Sequence, residues 1–313
     1  MSSYQIAVNM EWTSKCNARC IMCPQDEIQN PMLMKHEVFD KALKRIKNAD
    51  IFRVVIAGYG EPTTHPLFAQ FVDSINIHPT QFDMVTNGQL LDQEKILKLD
   101  GAIDTLIVSF SSINPDVYKS VHVNLDHETV KNNILLAKKL FKKTKLAISL
   151  TPMSECLNSL EETIDWFKNN GIEELSMSPT LYNRGGNLKD NEIATQKLRA
   201  IIKKHALHSQ ELDFVPGVKD IAKQLIKNKL KCIPRNVDLF ITSNGDYLYC
   251  YNDISHVHTI GNIDELTIQD ALSKREKMNS IDMLCDSCNM RDRYKLGELA
   301  KVTLNYALQK IAS

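Results

Sequence analysis

Apolar, often β-branched runs alternate with stretches of helical spacing six times over about the first 180 residues. Residues 4–11, 53–57, 82–86, 105–110, 145–150 and 174–179 read as strands. Between the first two, Phe39, Ala42, Leu43 and Ile46 recur one helical turn apart and predict a helix over 36–48. Residues 67–75 and 90–99 repeat that pattern. Asp126 stands where it caps a helix whose apolar face is Val130, Ile134, Ala137 and Phe141. Ser159 and Glu162 read as a capping-box pair, and Gly171 suits the position just past that helix. Strands joined by helical crossovers pair in parallel, with right-handed connections. Six units fall short of a closed eight-stranded barrel. The pattern therefore predicts an α/β chain built as a partial, open (β/α)6 barrel, with sites where strands end and helices begin.

After a helical stretch at 191–205 the pattern changes. Residues 237–242 and 247–250 read as a hairpin turning through Ser243-Asn244-Gly245-Asp246. A helix near 267–277 and an amphipathic tail at 296–311 follow. The expected division is a barrel over 1–210 and a small cysteine-rich α+β unit over 211–313.

The composition is ordinary for a globular chain of 313 residues, 43% hydrophobic and 24% charged. Lys+Arg and Asp+Glu balance at 38 each, so no net field draws nucleic acid or an anionic membrane. Residues 1–12 lack the basic and apolar segments of a signal peptide, and no apolar run approaches membrane-spanning length. A cytoplasmic chain with reduced thiols is the expectation, which makes its eight cysteines metal ligands rather than disulfides. Seven fall into two sets and Cys156 is left over.

The first set is Cys16, Cys20 and Cys23, spaced C-x3-C-x2-C. Three close thiolates hold one small inorganic centre at low loop-closure cost. A [4Fe–4S] cluster takes four, so three leave one iron open to another ligand. A zinc site is the alternative, although zinc knuckles usually pair two C-x2-C units. The spacing resembles the signature of the radical S-adenosylmethionine (SAM) enzymes. That resemblance implies a cluster whose open iron takes the amine and carboxylate of SAM.

Further motifs follow the strands. Gly58-Tyr59-Gly60-Glu61-Pro62 resembles the family's Gly-Gly-Glu-Pro motif, which holds the SAM amino group, with the glycine doublet here split by Tyr59. Thr86-Asn87-Gly88 matches another family turn and reads equally as a plain Asn-Gly turn. Ser109 stands where the resemblance puts a polar contact to SAM, or else bonds its own backbone. Met22 corresponds to an apolar position behind the adenine, or is core filler. Arg184, in Asn183-Arg184-Gly185, is similar to an arginine that faces SAM or substrate in relatives; a solvated loop arginine is the alternative.

Cys232, Cys250, Cys285 and Cys288, with Gly245 and Cys250 spaced G-x4-C ahead of a C-x2-C, resemble the Twitch or SPASM auxiliary-cluster extension. No cysteine follows Cys288, which fits the single-cluster Twitch form. Four thiolates close a second [4Fe–4S] cluster fully, suiting electron transfer; a four-thiolate zinc site has the same ligand count.

The resemblance implies an oxidoreductase that cleaves SAM reductively to a 5′-deoxyadenosyl radical, abstracts a substrate hydrogen and passes an electron to the auxiliary cluster. An electron donor such as flavodoxin or ferredoxin is implied with it. A small hydroxylated substrate, as for the Twitch aminocyclitol dehydrogenases, is the expectation. Peptide modification is the first rival, though Cys16 follows the start too closely for a leader-binding module ahead of the barrel. Epimerisation is the second, with Cys156 as hydrogen donor in the loop after the fifth strand; an ordinary loop thiol is its plain alternative. A non-catalytic iron–sulfur carrier needs no open iron.

Overall fold

The β-branched runs form strands close to their expected limits: β1 (Ala7–Met10), β2 (Arg53–Ile56), β3 (Phe82–Thr86), β4 (Thr105–Phe110), β5 (Lys145–Leu150) and β6 (Leu175–Met177). The structure is a computed structural model that describes residues 6–28, 30–151, 153–181, 192–207, 232, 236–278, 281–286 and 288. The expected tail helix, Arg184 and the 210/211 boundary lie outside the described residues. Each strand from β1 to β6 pairs in parallel with the next. Helices α1 (His36–Lys47), α2 (Phe68–Asn76), α3 (Gln93–Leu99), α4 (Pro115–Val121), α5 (His127–Leu140) and α6 (Leu160–Asn169) make the crossovers, and α7 (Glu192–His205) follows β6.

The later hairpin forms as expected from β7 (Asp238–Ile241) and β8 (Asp246–Leu248), turning at Gly245 with φ of 89°. A further strand, β9 (Thr259–Asn262), and the helix α8 (Ile268–Lys277) follow. Strand β7 lies parallel to β1, in register from Ala7–Asp238 to Met10–Ile241. The hairpin thus continues the barrel sheet, whose order is β6-β5-β4-β3-β2-β1-β7-β8-β9. The sheet stays open between β6 and β9, the partial barrel the alternation predicts.

Local chemistry accounts for most helix limits. Asp126 accepts from Thr129 N at 2.8 Å and caps α5, and Gly171 beyond α6 has φ of 71°. The expected Ser159–Glu162 capping box is absent. Ser159 precedes α6, but its hydroxyl pairs with Ser112 at 2.6 Å and lies 3.3 Å from the Cys156 carbonyl, so it does not cap. Asn114 caps α4 through Asp116 N and Val117 N, with Pro115 in the first turn, a start signal absent from the sequence reading above.

One core cluster runs beneath the sheet, and its densest aromatic corner fixes the start of the first cysteine loop. Trp12, just past β1 and 1% exposed, meets Phe39, Phe68 and Phe71 edge-on at 5.3–6.1 Å. Phe39 and Phe71 stack at 3.9 Å beneath it. Edge-to-face packing of this kind adds about 0.5–1.5 kcal/mol per pair to the burial itself. That packing anchors the chain where it leaves β1 for the cysteine loop.

Candidate functional site

From Thr13 to Cys23 the loop is held along both sides. At its start, Ser14 N donates to Met32 O at 3.0 Å on one side, and Gly60 N to Thr13 O at 3.1 Å and Glu61 N to Lys15 O at 2.9 Å on the other. Further on, Arg19 N donates to Val123 O at 2.8 Å and Ile21 N to Val121 O at 3.0 Å. The three thiols are thus presented from a clamped backbone.

Gly58 and Gly60 are required for different reasons. A Cβ on Gly60 would stand 2.3 Å from Lys15 O and 2.4 Å from Thr13 O, both backbone atoms. At Gly58 it would meet only the Glu11 side chain, at 2.4 Å from Cγ. Overpacking typically costs about 1–3 kcal/mol. Gly60→Ala should reach or exceed the top of that range and reduce cluster loading at the first set. Gly58→Ala should also destabilise, because Glu11 is buried and its carboxylate holds Tyr59 N and Ser243, but it should spare more of the iron, since no backbone atom of the cysteine loop is among its nearest contacts. Thermal unfolding and iron content of the two variants measure these effects; equal loss of iron would contradict the clamp.

Two buried carboxylates brace the surrounding loops. Glu61 Oε1 accepts from Thr63 N (3.1 Å), Thr63 Oγ1 (2.6 Å) and Thr86 Oγ1 (2.7 Å), and its Oε2 accepts from Asn87 N (2.7 Å). Burial pushes the Glu61 carboxyl up, while these donors pull it down. Its side chain ties the β2 loop to the β3 loop and leaves the backbone to face the cavity. Pro62 opens the buried single turn beside it. Glu11, wholly buried, accepts from Tyr59 N at 2.8 Å and from Ser243 Oγ at 3.1 Å, joining the β2 loop to the β7–β8 turn.

These loops and the neighbouring strands line an open cavity of about 400 Å3. It is lined by Cys16, Cys20 and Cys23 and by Met22, Gly58, Gly60, Glu61, Thr86, Asn87 and Ser109, residues expected at the site from sequence. Each sulfur has a nitrogen near it: Ala18 N donates to Cys16 Sγ at 3.4 Å, His122 Nδ1 lies 3.3 Å from Cys20 Sγ, and Gln25 Nε2 is 3.9 Å from Cys23 Sγ. Asn87 Nδ2 bonds Asn17 Oδ1 at 2.7 Å and reaches Cys16 Sγ at 4.0 Å. Burial, then the neighbouring Cys16 and Cys23, pushes the Cys20 thiol up to about 12. Loading metal there must displace a proton, as thiolate ligation requires. Three convergent thiols with N–H donors around them fit an iron–sulfur cluster with one unligated corner.

Several lining residues were absent from the sequence reading. Ser149 and Ser176 stand in register beside Ser109 across β4, β5 and β6, so three hydroxyls form a row on one wall. Strand register carries that signal, since all three occupy equivalent inward positions. Asp238 lies at the foot of β7. Burial pushes its carboxyl up to about 7 against the pull of Arg275 and Arg53. His122 ends α4, is 1% exposed, and is held neutral by burial, its pKa lowered to about 4.

Cys156 sits in a single turn after β5, buried among Val121 and Met153 with Met22 against them. It is not among the residues lining the cavity. Burial, then Glu155, pushes its thiol up to about 12.

The second set also gathers. Cys250 is pushed above its usual value by burial and by the nearness of Cys232, Cys288 and Cys285. Asn252 donates from its backbone to Cys250 Sγ at 3.5 Å and from Nδ2 to Cys288 Sγ at 3.6 Å. Tyr59 joins the two regions: its hydroxyl donates to the Tyr251 carbonyl, next to Cys250, and Gln25 Nε2 donates to the Tyr59 carbonyl. Among the described residues, no three His, Cys, Asp or Glu side chains close together as a single bound ion requires. No described helix is long and apolar enough to cross a membrane.

The radical SAM superfamily profile matches residues 10–167, just over half the chain. A probable GTP 3′,8-cyclase of Methanococcus maripaludis is 26% identical over 220 residues, 65% of this chain and 73% of that protein. Among solved structures, anSMEcpe with bound AdoMet superposes with a TM-score of 0.68 at 16% identity, covering 98% of this chain and 94% of the other. Streptococcus suis SuiB bound to precursor peptide SuiA gives 0.67 at 15% identity, covering 92% and 70%.

Proposed function

The chain belongs to the radical SAM superfamily, and from that premise we propose that it oxidises a small hydroxylated substrate within the cavity described above. Cys16, Cys20 and Cys23 are the residues that would hold the site [4Fe–4S] cluster. With SAM bound, that cluster supplies the reductive cleavage that yields methionine and the hydrogen-abstracting 5′-deoxyadenosyl group. The observation that carries the reading is a single cavity joining the three thiols to the loops after β2 and β3 and to Ser109 on β4.

The chain's own residues bind, orient and exclude. Without side chains at Gly58 and Gly60, the β2 loop lies close against Glu11 and the cysteine loop, and its backbone carbonyls would meet the SAM amino group. Thr86 and Asn87 are fixed by Glu61, and Met22 supplies an apolar surface beside Cys23. The hydroxyl row of Ser109, Ser149 and Ser176 favours a polyhydroxylated ligand in the cavity it shares with the thiols. Cys232, Cys250, Cys285 and Cys288 are the ligands proposed for a Twitch-type auxiliary [4Fe–4S] cluster in a unit spanning 211–313, an acceptor for the second electron. A flavodoxin or ferredoxin is the proposed source of the first.

Peptide modification is a second reading, favoured by the SuiB structure, which is described with its precursor peptide. The reconstituted protein, given SAM and reductant, should release 5′-deoxyadenosine faster with sugars or aminocyclitols than without them. It should also convert them to products two electrons poorer. Stimulation by peptides alone would overturn the small-molecule reading. Solvent deuterium in the product, lost together with turnover in Cys156→Ala, would assign epimerisation and a catalytic Cys156.

A further inference from the structure

We infer that His122 donates a hydrogen bond from Nδ1 to the Cys20 thiolate and thereby sets the reduction potential of the site cluster. The inference rests on Cys20 being a cluster ligand and goes beyond that reading by naming a residue that tunes it. Nδ1 lies 3.3 Å from Cys20 Sγ, within reach of an N–H···S bond. Backbone register builds the contact. Arg19 N donates to Val123 O and Ile21 N to Val121 O, so the residues flanking Cys20 are bonded to those flanking His122. The end of α4 holds the ring from behind: His122 N donates to Tyr118 O at 2.7 Å, and the two rings lie 4.8 Å apart. Those bonds place the His122 backbone, and burial to 1% exposure with the Tyr118 ring against it restrains the imidazole.

The proton's place follows from the partners. A thiolate bound to iron only accepts, so at this contact the imidazole nitrogen must carry the hydrogen. Nε2 is buried without a partner. Placing the proton on Nδ1 leaves a bare lone pair on Nε2, whereas the other tautomer would leave a bare N–H on Nε2 and two acceptors, Nδ1 and the thiolate, face to face. Reduction adds negative charge to the cluster, and a donor aimed at a ligand sulfur stabilises that charge. His122 is therefore a positioning residue that makes the site easier to reduce.

The test is a redox titration of the anaerobically reconstituted full chain, followed by EPR of the signal that changes when SAM is added. His122→Phe should load the same iron and titrate at a more negative potential. His122→Gln, which keeps an N–H donor, should stay nearer the wild type. An unchanged midpoint in a fully loaded His122→Phe protein overturns the inference while leaving the cluster assignment intact. Wild-type protein labelled with 15N-histidine decides the matter even if the variants load poorly. Pulsed EPR should detect one weakly coupled nitrogen, and either no coupling or the strong coupling of a ligated nitrogen contradicts the proposal.

Discussion

Replacing Cys16, Cys20 and Cys23 together with Ala should remove about four irons per chain, one cubane, and abolish release of 5′-deoxyadenosine from SAM. The three sulfurs are the soft ligands on the wall of the cavity, and the loop that carries them is clamped along both edges. Fold should survive the change. Trp12 and its aromatic neighbours hold the entry to the loop, and the clamping bonds are backbone to backbone. Circular dichroism and the spectrum of the proposed second cluster should therefore stay close to the wild type. Any residual cleavage of SAM by the triple variant would contradict the assignment. Activity should not merely fall, because no other described residue near the cavity offers three thiols.

The second large effect belongs to Cys285 and Cys288. If they hold the proposed auxiliary cubane, changing both to Ala should remove about four irons. Slow SAM cleavage should persist while formation of oxidised product stops. The first step needs only the site cluster, whereas the substrate, once a hydrogen atom is gone, must still lose one electron and one proton to reach a closed-shell product. Cys250 stands within electrostatic reach of Cys232, Cys288 and Cys285, and Asn252 aims one N–H at Cys250 and another at Cys288. Those donors suit anionic sulfur, whichever metal binds. Stoichiometric zinc in the purified protein, with iron confined to the first set, would turn this site into a structural one. Product formation would then need another oxidant.

Much of the barrel was legible because its signals are local. The runs at β3, β4 and β5 give strands with the expected limits, since buried parallel strands are nearly continuous in apolar residues. The three cysteines and the Gly-Tyr-Gly loop were legible for the same reason: spacing in sequence carries them. What the sequence hid depends on partners far along the chain. Glu11 looks like the polar end of a strand, yet its partners are 48 and 232 residues away. His122 meets Cys20 across 102 residues, just past a seven-residue helix too short to show a helical period. The parallel pairing of β7 with β1 likewise has no local signature. Strand β9 carries Gly261 at φ of 157°, which interrupts the apolar alternation that would mark it. Ser159 shows the opposite failure. Its motif was present, and a tertiary hydroxyl partner, Ser112, took the side chain.

The most direct measurement combines iron content and SAM turnover in one sample of the full chain, reconstituted without oxygen and reduced with dithionite. Two cubanes correspond to about eight irons per chain, and 5′-deoxyadenosine and methionine should then appear in equal amounts from SAM. A sample that holds this iron yet leaves SAM intact, while its reduced site cluster is visible by EPR, would contradict the account.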